Sequence, residues 1–207
     1  MANLKAVRRE GEKGSGPINI GDRAIDNLAF IRDTMERSTH FTAVPGFGGM
    51  LMGATALVAA YIATIQPEIR DSLITWLVEA ALAFAIGLLA MWQKSKIAGQ
   101  SLASVPAKKF ALGFAPPFIA GGIIVLGIIK SGEFYLLPPV CMVTYGAAVV
   151  CGGAFSVKAV PVMGWCFIGL GAVAFAITPS SGNIMMAASF GMLHLIFGAV
   201  IARKYGG

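Results

Sequence analysis

The stretch Trp76-Leu77-Val78-Glu79-Ala80-Ala81-Leu82-Ala83-Phe84-Ala85-Ile86-Gly87 decides the fold. It lies inside an apolar run over about residues 73–93, close to the roughly 20 residues an α-helix needs to cross a bilayer. Glu79 is the only acidic residue inside any long apolar run of the chain. A carboxylate in hydrocarbon is costly unless it is paired, protonated or wetted, so Glu79 is the first candidate for function.

Five more apolar runs lie on either side, at about residues 46–65, 109–129, 134–153, 159–178 and 183–203. The expected fold is therefore all-α: a polytopic membrane bundle of six transmembrane helices. Composition agrees. The chain has 207 residues, 57% apolar and 13% charged, whereas soluble domains carry roughly 25% charged residues. Its mean hydropathy is +0.76. The 26 glycines suit helices that pack closely in lipid. The net charge of +6 would fit nucleic acid, but the basic residues sit between apolar runs, where topology explains them, and that reading is rejected. The first forty residues contain no apolar core of a cleavable signal peptide.

Ahead of the runs, residues 1–19 read as a disordered, charged and Gly-rich cytoplasmic tail. Residues 20–44 read as an amphipathic helix: Ile25, Leu28, Ile31 and Met35 recur at three- and four-residue steps, with Arg23, Asp26, Asp33, Glu36 and Arg37 between them. Asp22 would cap it, and Pro45-Gly46 would end it. Acidic residues nearly balance basic ones there, which favours a cytoplasmic protein partner for residues 20–41 over an anionic lipid surface. Residues 45–207 form the expected six-helix domain.

Lysine and arginine set the expected orientation. All 16 except Arg70 and Lys130 fall before the first run, after an even-numbered run or at the C-terminal end. The positive-inside rule then places both termini in the cytoplasm. Runs 1–2, 3–4 and 5–6 would enter the membrane as three hairpins. Gly53–Ala60 and Gly169–Ala176 show a faint internal similarity, which Ala- and Gly-rich helices also produce by chance.

The segment Ile31-Arg32-Asp33-Thr34-Met35-Glu36-Arg37-Ser38-Thr39-His40-Phe41-Thr42-Ala43-Val44-Pro45-Gly46 resembles the N-terminal signature of a group of uncharacterised bacterial multi-spanning inner-membrane proteins. The stretch from Phe190 to Gly207 is similar to that group as well. The resemblance implies a bacterial inner membrane and carries no activity.

Four polar residues stand out within the runs: Glu79, His194, Tyr145 and Thr144. All lie on even-numbered runs at comparable depth, so packing can gather them into a protonatable Glu79–His194 pair with Tyr145 as donor, suited to a proton relay or a cationic or polar solute. The bland alternative is a clasp that ties helices together. A second histidine for haem is lacking near the midplane, since His40 is at the surface. Pro116-Pro117 predicts a broken or kinked third helix. Gly49 and Gly53, in a GxxxG, and Gly191 and Gly198 predict close helix packing. Cys141, Cys151 and Cys166 match no metal spacing and read as small apolar residues. Pro45-Gly46-Phe47-Gly48-Gly49 lacks the lysine of a phosphate loop. Enzyme chemistry has little support, and the sequence names no cofactor.

Two functions compete. One is an accessory or scaffold subunit that contacts a homo-oligomer or other membrane subunits through Gly-rich faces. The other is a small transporter or channel for protons, cations or a small solute, using Glu79 and His194 in an oligomeric bundle. The poverty of polar residues favours the first. A weaker third idea is a pocket for an apolar cofactor, quinone or lipid.

Overall fold

A computed structural model describes residues 25–31, 35, 40–99, 101–177 and 179–206. It divides into two compact units, residues 1–39 and His40–Gly207. In the first, residues 25–31 and Met35 are helical, and Ile25, Leu28 and Ile31 are exposed. The expected tail and the Asp22 cap lie outside the described residues.

Among its described residues, the second unit holds six helices long and apolar enough to span a membrane. They are α1 (Gly46–Ile65), α2 (Ile69–Ile97), α3 (Val105–Ser131), α4 (Leu137–Gly153, entered by a 3-10 turn at Phe134–Leu136), α5 (Ala159–Ala176) and α6 (Gly182–Tyr205). This is a multi-pass integral membrane protein. Helices α2 and α3 outrun their apolar cores by several residues at one or both ends, because Arg70 and Asp71, Lys94 and Lys96, and Lys108 and Lys109 extend the helix into the interface.

Local chemistry sets the boundaries. Gln66 precedes Pro67 and is extended, as steric conflict with the proline ring requires, and so ends α1. The Ser104 hydroxyl accepts the Ala107 N–H at 3.4 Å and, with Pro106 in the first turn, starts α3. Gly132, at φ +80°, closes α3 in the left-handed conformation. The break expected at Pro116–Pro117 is absent: α3 runs unbroken through both. Proline's φ suits a helix, and the two prolines remove two amide donors from it.

The helices group as two triplets. Helix α1 packs against α2 and along the length of α6, while α4 packs between α3 and α5. Spans 5 and 6 are consecutive in the chain and touch, but α6 packs mainly on α1. Glycine explains why. A Cβ on Gly53 would sit 2.6 Å from the Gly191 carbonyl oxygen, and one on Gly198 would sit 2.7 Å from the Met50 nitrogen. Only hydrogen fits at these backbone approaches. The α4–α5 contact is built the same way: a Cβ added to Gly146 or to Gly164 would lie 2.8 Å from the other's carbonyl oxygen. Gly169, by contrast, has open space around it, so the similarity between Gly53–Ala60 and Gly169–Ala176 does not carry over to their surroundings. Met142, Met163, Phe167 and Met186 join the triplets in one core.

The chain before α1 is part of this unit. Phe41 to Val44 are not helical, so the helix expected over 20–44 does not include them. The Phe41 N–H donates to the Phe155 carbonyl at 2.8 Å, and the Ser156 hydroxyl donates to the Phe41 carbonyl at 2.7 Å. Phe41, 2% exposed, inserts its ring beside Phe110. This strap ahead of α1 thus satisfies the Phe41 N–H and carbonyl on the α4–α5 loop and buries its aromatic anchor between helices.

Candidate functional site

The four polar residues singled out from sequence do not form one cluster. They fall into two sites and one local bond. In the first site, Tyr145 of α4 and His194 of α6 meet, with the phenol oxygen 2.8 Å from Nε2. The other ring nitrogen, Nδ1, is 2.9 Å from the Phe190 carbonyl oxygen. A carbonyl only accepts, so Nδ1 carries a proton; in the neutral ring Nε2 then accepts from the Tyr145 hydroxyl. Phe167 and Phe190 pack around the pair, with ring centroids 4.9 Å and 5.1 Å from Tyr145. His194 is 5% exposed. Both nitrogens are engaged, which leaves no lone pair for a haem iron or a solute.

The helix that presents His194 is irregular. Ala187–Leu193 winds as a π-helix, and Ser189 donates to the Met185 carbonyl at 2.8 Å within it. Wide turns of this kind are rare and recur at functional positions. Here the turn includes Phe190, whose carbonyl orients the His194 ring. No pattern in the apolar sequence marks it.

The second site belongs to Glu79. Its Oε1 lies 2.9 Å from the Thr55 hydroxyl of α1. The expected Glu79–His194 pair is not formed, because α1 supplies the closer partner. Thr55 Oγ1 is also 2.9 Å from the Met52 carbonyl, and one hydroxyl proton cannot serve both acceptors. An ionised carboxylate takes the Thr55 proton. A protonated carboxyl donates its own proton to Thr55 and leaves that of Thr55 for Met52. Among the described residues no group bonds the second carboxylate oxygen. Glu79 is 7% exposed, and it helps line a groove of about 510 Å³ between α1 and α2. Val58 and Val78, on the walls, are 59% and 62% exposed, so the groove opens outward, toward lipid.

Thr144 joins neither site. It donates to the Val140 carbonyl at 2.8 Å in its own helix and packs where a Cβ on Gly121 would meet it. Pro116 and Pro117 lie inside α3. Gly49, Gly53, Gly191 and Gly198 all sit at the α1–α6 seam. The three cysteines are free, and no group of metal-ligating residues occurs among the described residues.

Two polar features escaped the sequence. Lys94, 9% exposed, aims its ammonium at three carbonyls: Val44 at 2.9 Å, Tyr205 at 3.1 Å and Gly206. It caps the C-terminal end of α6 and ties the start of α1 to it. At the opposite end of the bundle, the Trp76 indole N–H donates to the Asn183 side-chain oxygen at 2.9 Å, joining the early turns of α2 and α6. In the sequence, Lys94 counts only among the basic residues that set orientation, and Trp76 is an aromatic residue near the start of its apolar run.

No protein-family model, curated protein or solved structure matches the chain.

Proposed function

We propose that the protein is an accessory or interaction subunit of the bacterial inner membrane. One observation carries this reading: among the described residues, every fully buried side-chain polar atom has a hydrogen-bond partner within the chain. A conduit for ions or polar solutes needs interior polar groups left for the passenger. The Tyr145–His194 pair instead spends its capacity on itself and on the backbone.

Surface packing supports the same reading. Only 6% of the apolar window of α2 is buried, and 11% of that of α3, against 33% for α1 and α6. The glycines at the α1–α6 seam are consumed inside the chain. Contact with a second copy or another membrane subunit therefore falls to the outer walls of α2 and α3. Ile25, Leu28 and Ile31 offer an exposed apolar stripe for a cytoplasmic partner. The lysine and arginine distribution supports an orientation with Val44 and Gly206 on the cytoplasmic side.

The runner-up is a small transporter that works through Glu79, supported by the carboxylate oxygen left without a partner. A photo-reactive residue at Leu89 of α2, 65% exposed, separates the two. Discrete protein adducts in native membranes, with no proton or cation flux above empty liposomes, are expected. Flux that vanishes in Glu79→Gln, without adducts, would establish the transporter instead.

A further inference from the structure

We propose that the Glu79 groove is a binding site for a small lipophilic cation, an ammonium or phosphonium carrying apolar substituents. This inference does not depend on the interaction-subunit reading.

Three observations converge on this class. The first is charge. Glu79 is the sole ionisable group on the groove wall, with no lysine, arginine or histidine among the lining residues. Its one hydrogen bond comes from a neutral hydroxyl, Thr55. The other oxygen has no partner among the described residues and is accessible from the groove, in a residue only 7% exposed. A carboxylate held in an apolar wall calls for a monovalent positive charge.

The second is lining. Apart from Thr55, Thr75 and Glu79, the walls are aliphatic, with Val58 and Ile62 of α1 facing Ile74 and Val78 of α2. A hydrated metal ion or a polar solute finds no further ligands there, whereas hydrocarbon substituents do. The groove opens toward the lipid, where such cations partition.

The third is size. The wall residues run from Ala54 to Ile62 on α1 and from Ile74 to Leu82 on α2. Each span of nine residues rises about 12 Å over eight steps of 1.5 Å. A partner transmembrane helix would need a channel along the roughly 30 Å of hydrocarbon. The volume of about 510 Å³ instead lies within the range of about 300–1,000 Å³ common for small-molecule sites. Counted from residue 73, where the apolar run begins, Glu79 is six residues in, about 9 Å along the axis, within the hydrocarbon that a membrane-dissolved cation reaches.

Binding of radiolabelled tetraphenylphosphonium to the intact protein in lipid nanodiscs tests this. Saturable binding above empty nanodiscs is expected. Glu79→Gln should weaken it at least tenfold. Val58→Trp, which fills the groove from an exposed wall position, should do the same without disturbing the core, so the test survives if Glu79→Gln fails to fold. Leu126→Trp, on the outer wall of α3, should leave binding unchanged. Absence of saturable binding, or equal binding by wild type, Glu79→Gln and Val58→Trp, overturns the proposal. So does efficient disulfide dimer formation by Val58→Cys in a chain lacking the three native cysteines, since a second copy would then occupy the groove.

Discussion

Replacing Tyr145 with phenylalanine removes one oxygen and keeps the ring, so it isolates the bond to His194. The Nε2 of that imidazole lies behind Phe167 and Phe190, in a side chain 5% exposed, and neither ring can donate a replacement. Leaving a buried acceptor unpaired costs about 1–3 kcal/mol in water-soluble proteins. Interhelical bonds in membranes measure lower, about 0.6 kcal/mol on average and up to about 1.7. The 2.8 Å distance and the enclosure by aromatic rings place this bond toward the upper membrane figure. Tyr145→Phe should therefore destabilise the bundle by about 1–2 kcal/mol, roughly a five- to thirtyfold change in the folded-to-unfolded ratio. Reversible unfolding in mixed micelles, followed by circular dichroism, measures it. His194→Leu and the double variant complete a cycle, with an expected coupling of about 1 kcal/mol. A Tyr145→Phe protein within about 0.3 kcal/mol of wild type, or strictly additive variants, would refute the assignment of Tyr145 as the donor that satisfies His194.

Gly53→Ala sets a new carbon against the Gly191 carbonyl and should cost about 1–3 kcal/mol through overpacking, whereas Gly122→Ala, with open space around it, should be neutral or slightly stabilising; the same micelle titration compares them. Lys94→Met removes all three charge-assisted bonds at the end of α6 and should lower stability by about 2 kcal/mol, with faster amide exchange over Arg203 to Gly206. Phe41→Ala should cost about 3 kcal/mol by emptying an enclosed site, and should expose the strap to limited proteolysis ahead of Gly46.

The six spans were legible because composition alone separates hydrocarbon-compatible helices from their polar linkers. Their ends were less so. Arg70, Asp71 and Lys94 look like loop residues by polarity, yet they continue the helix into the interface. Which helix packs on which was hidden for a physical reason: lipid and protein interior are equally apolar, so no amphipathic stripe marks the inward face. The glycines at 53, 191 and 198 carried the only trace of the α1–α6 seam, and spacing within each helix did not say that the two would face each other. Tyr145 and His194 were recognisable by depth, but the same criterion wrongly joined Glu79 to them. Thr55 drew no attention, since a lone threonine in a membrane helix ordinarily bonds its own backbone, as Thr144 does. The π-turn before His194 arises from packing that no local pattern encodes.

The seam between α1 and α6 joins spans separated by more than a hundred residues of synthesis. When α1 and α2 leave the translocon, the glycine face of α1 has no mate and the Lys94 ammonium has no α6 carbonyls to bind. Both wait in the bilayer until four more helices have been inserted, so the bundle can close only after translation has passed residue 206. A ribosome stalled before that point would release an assembly whose most closely packed surface lies open to membrane proteases.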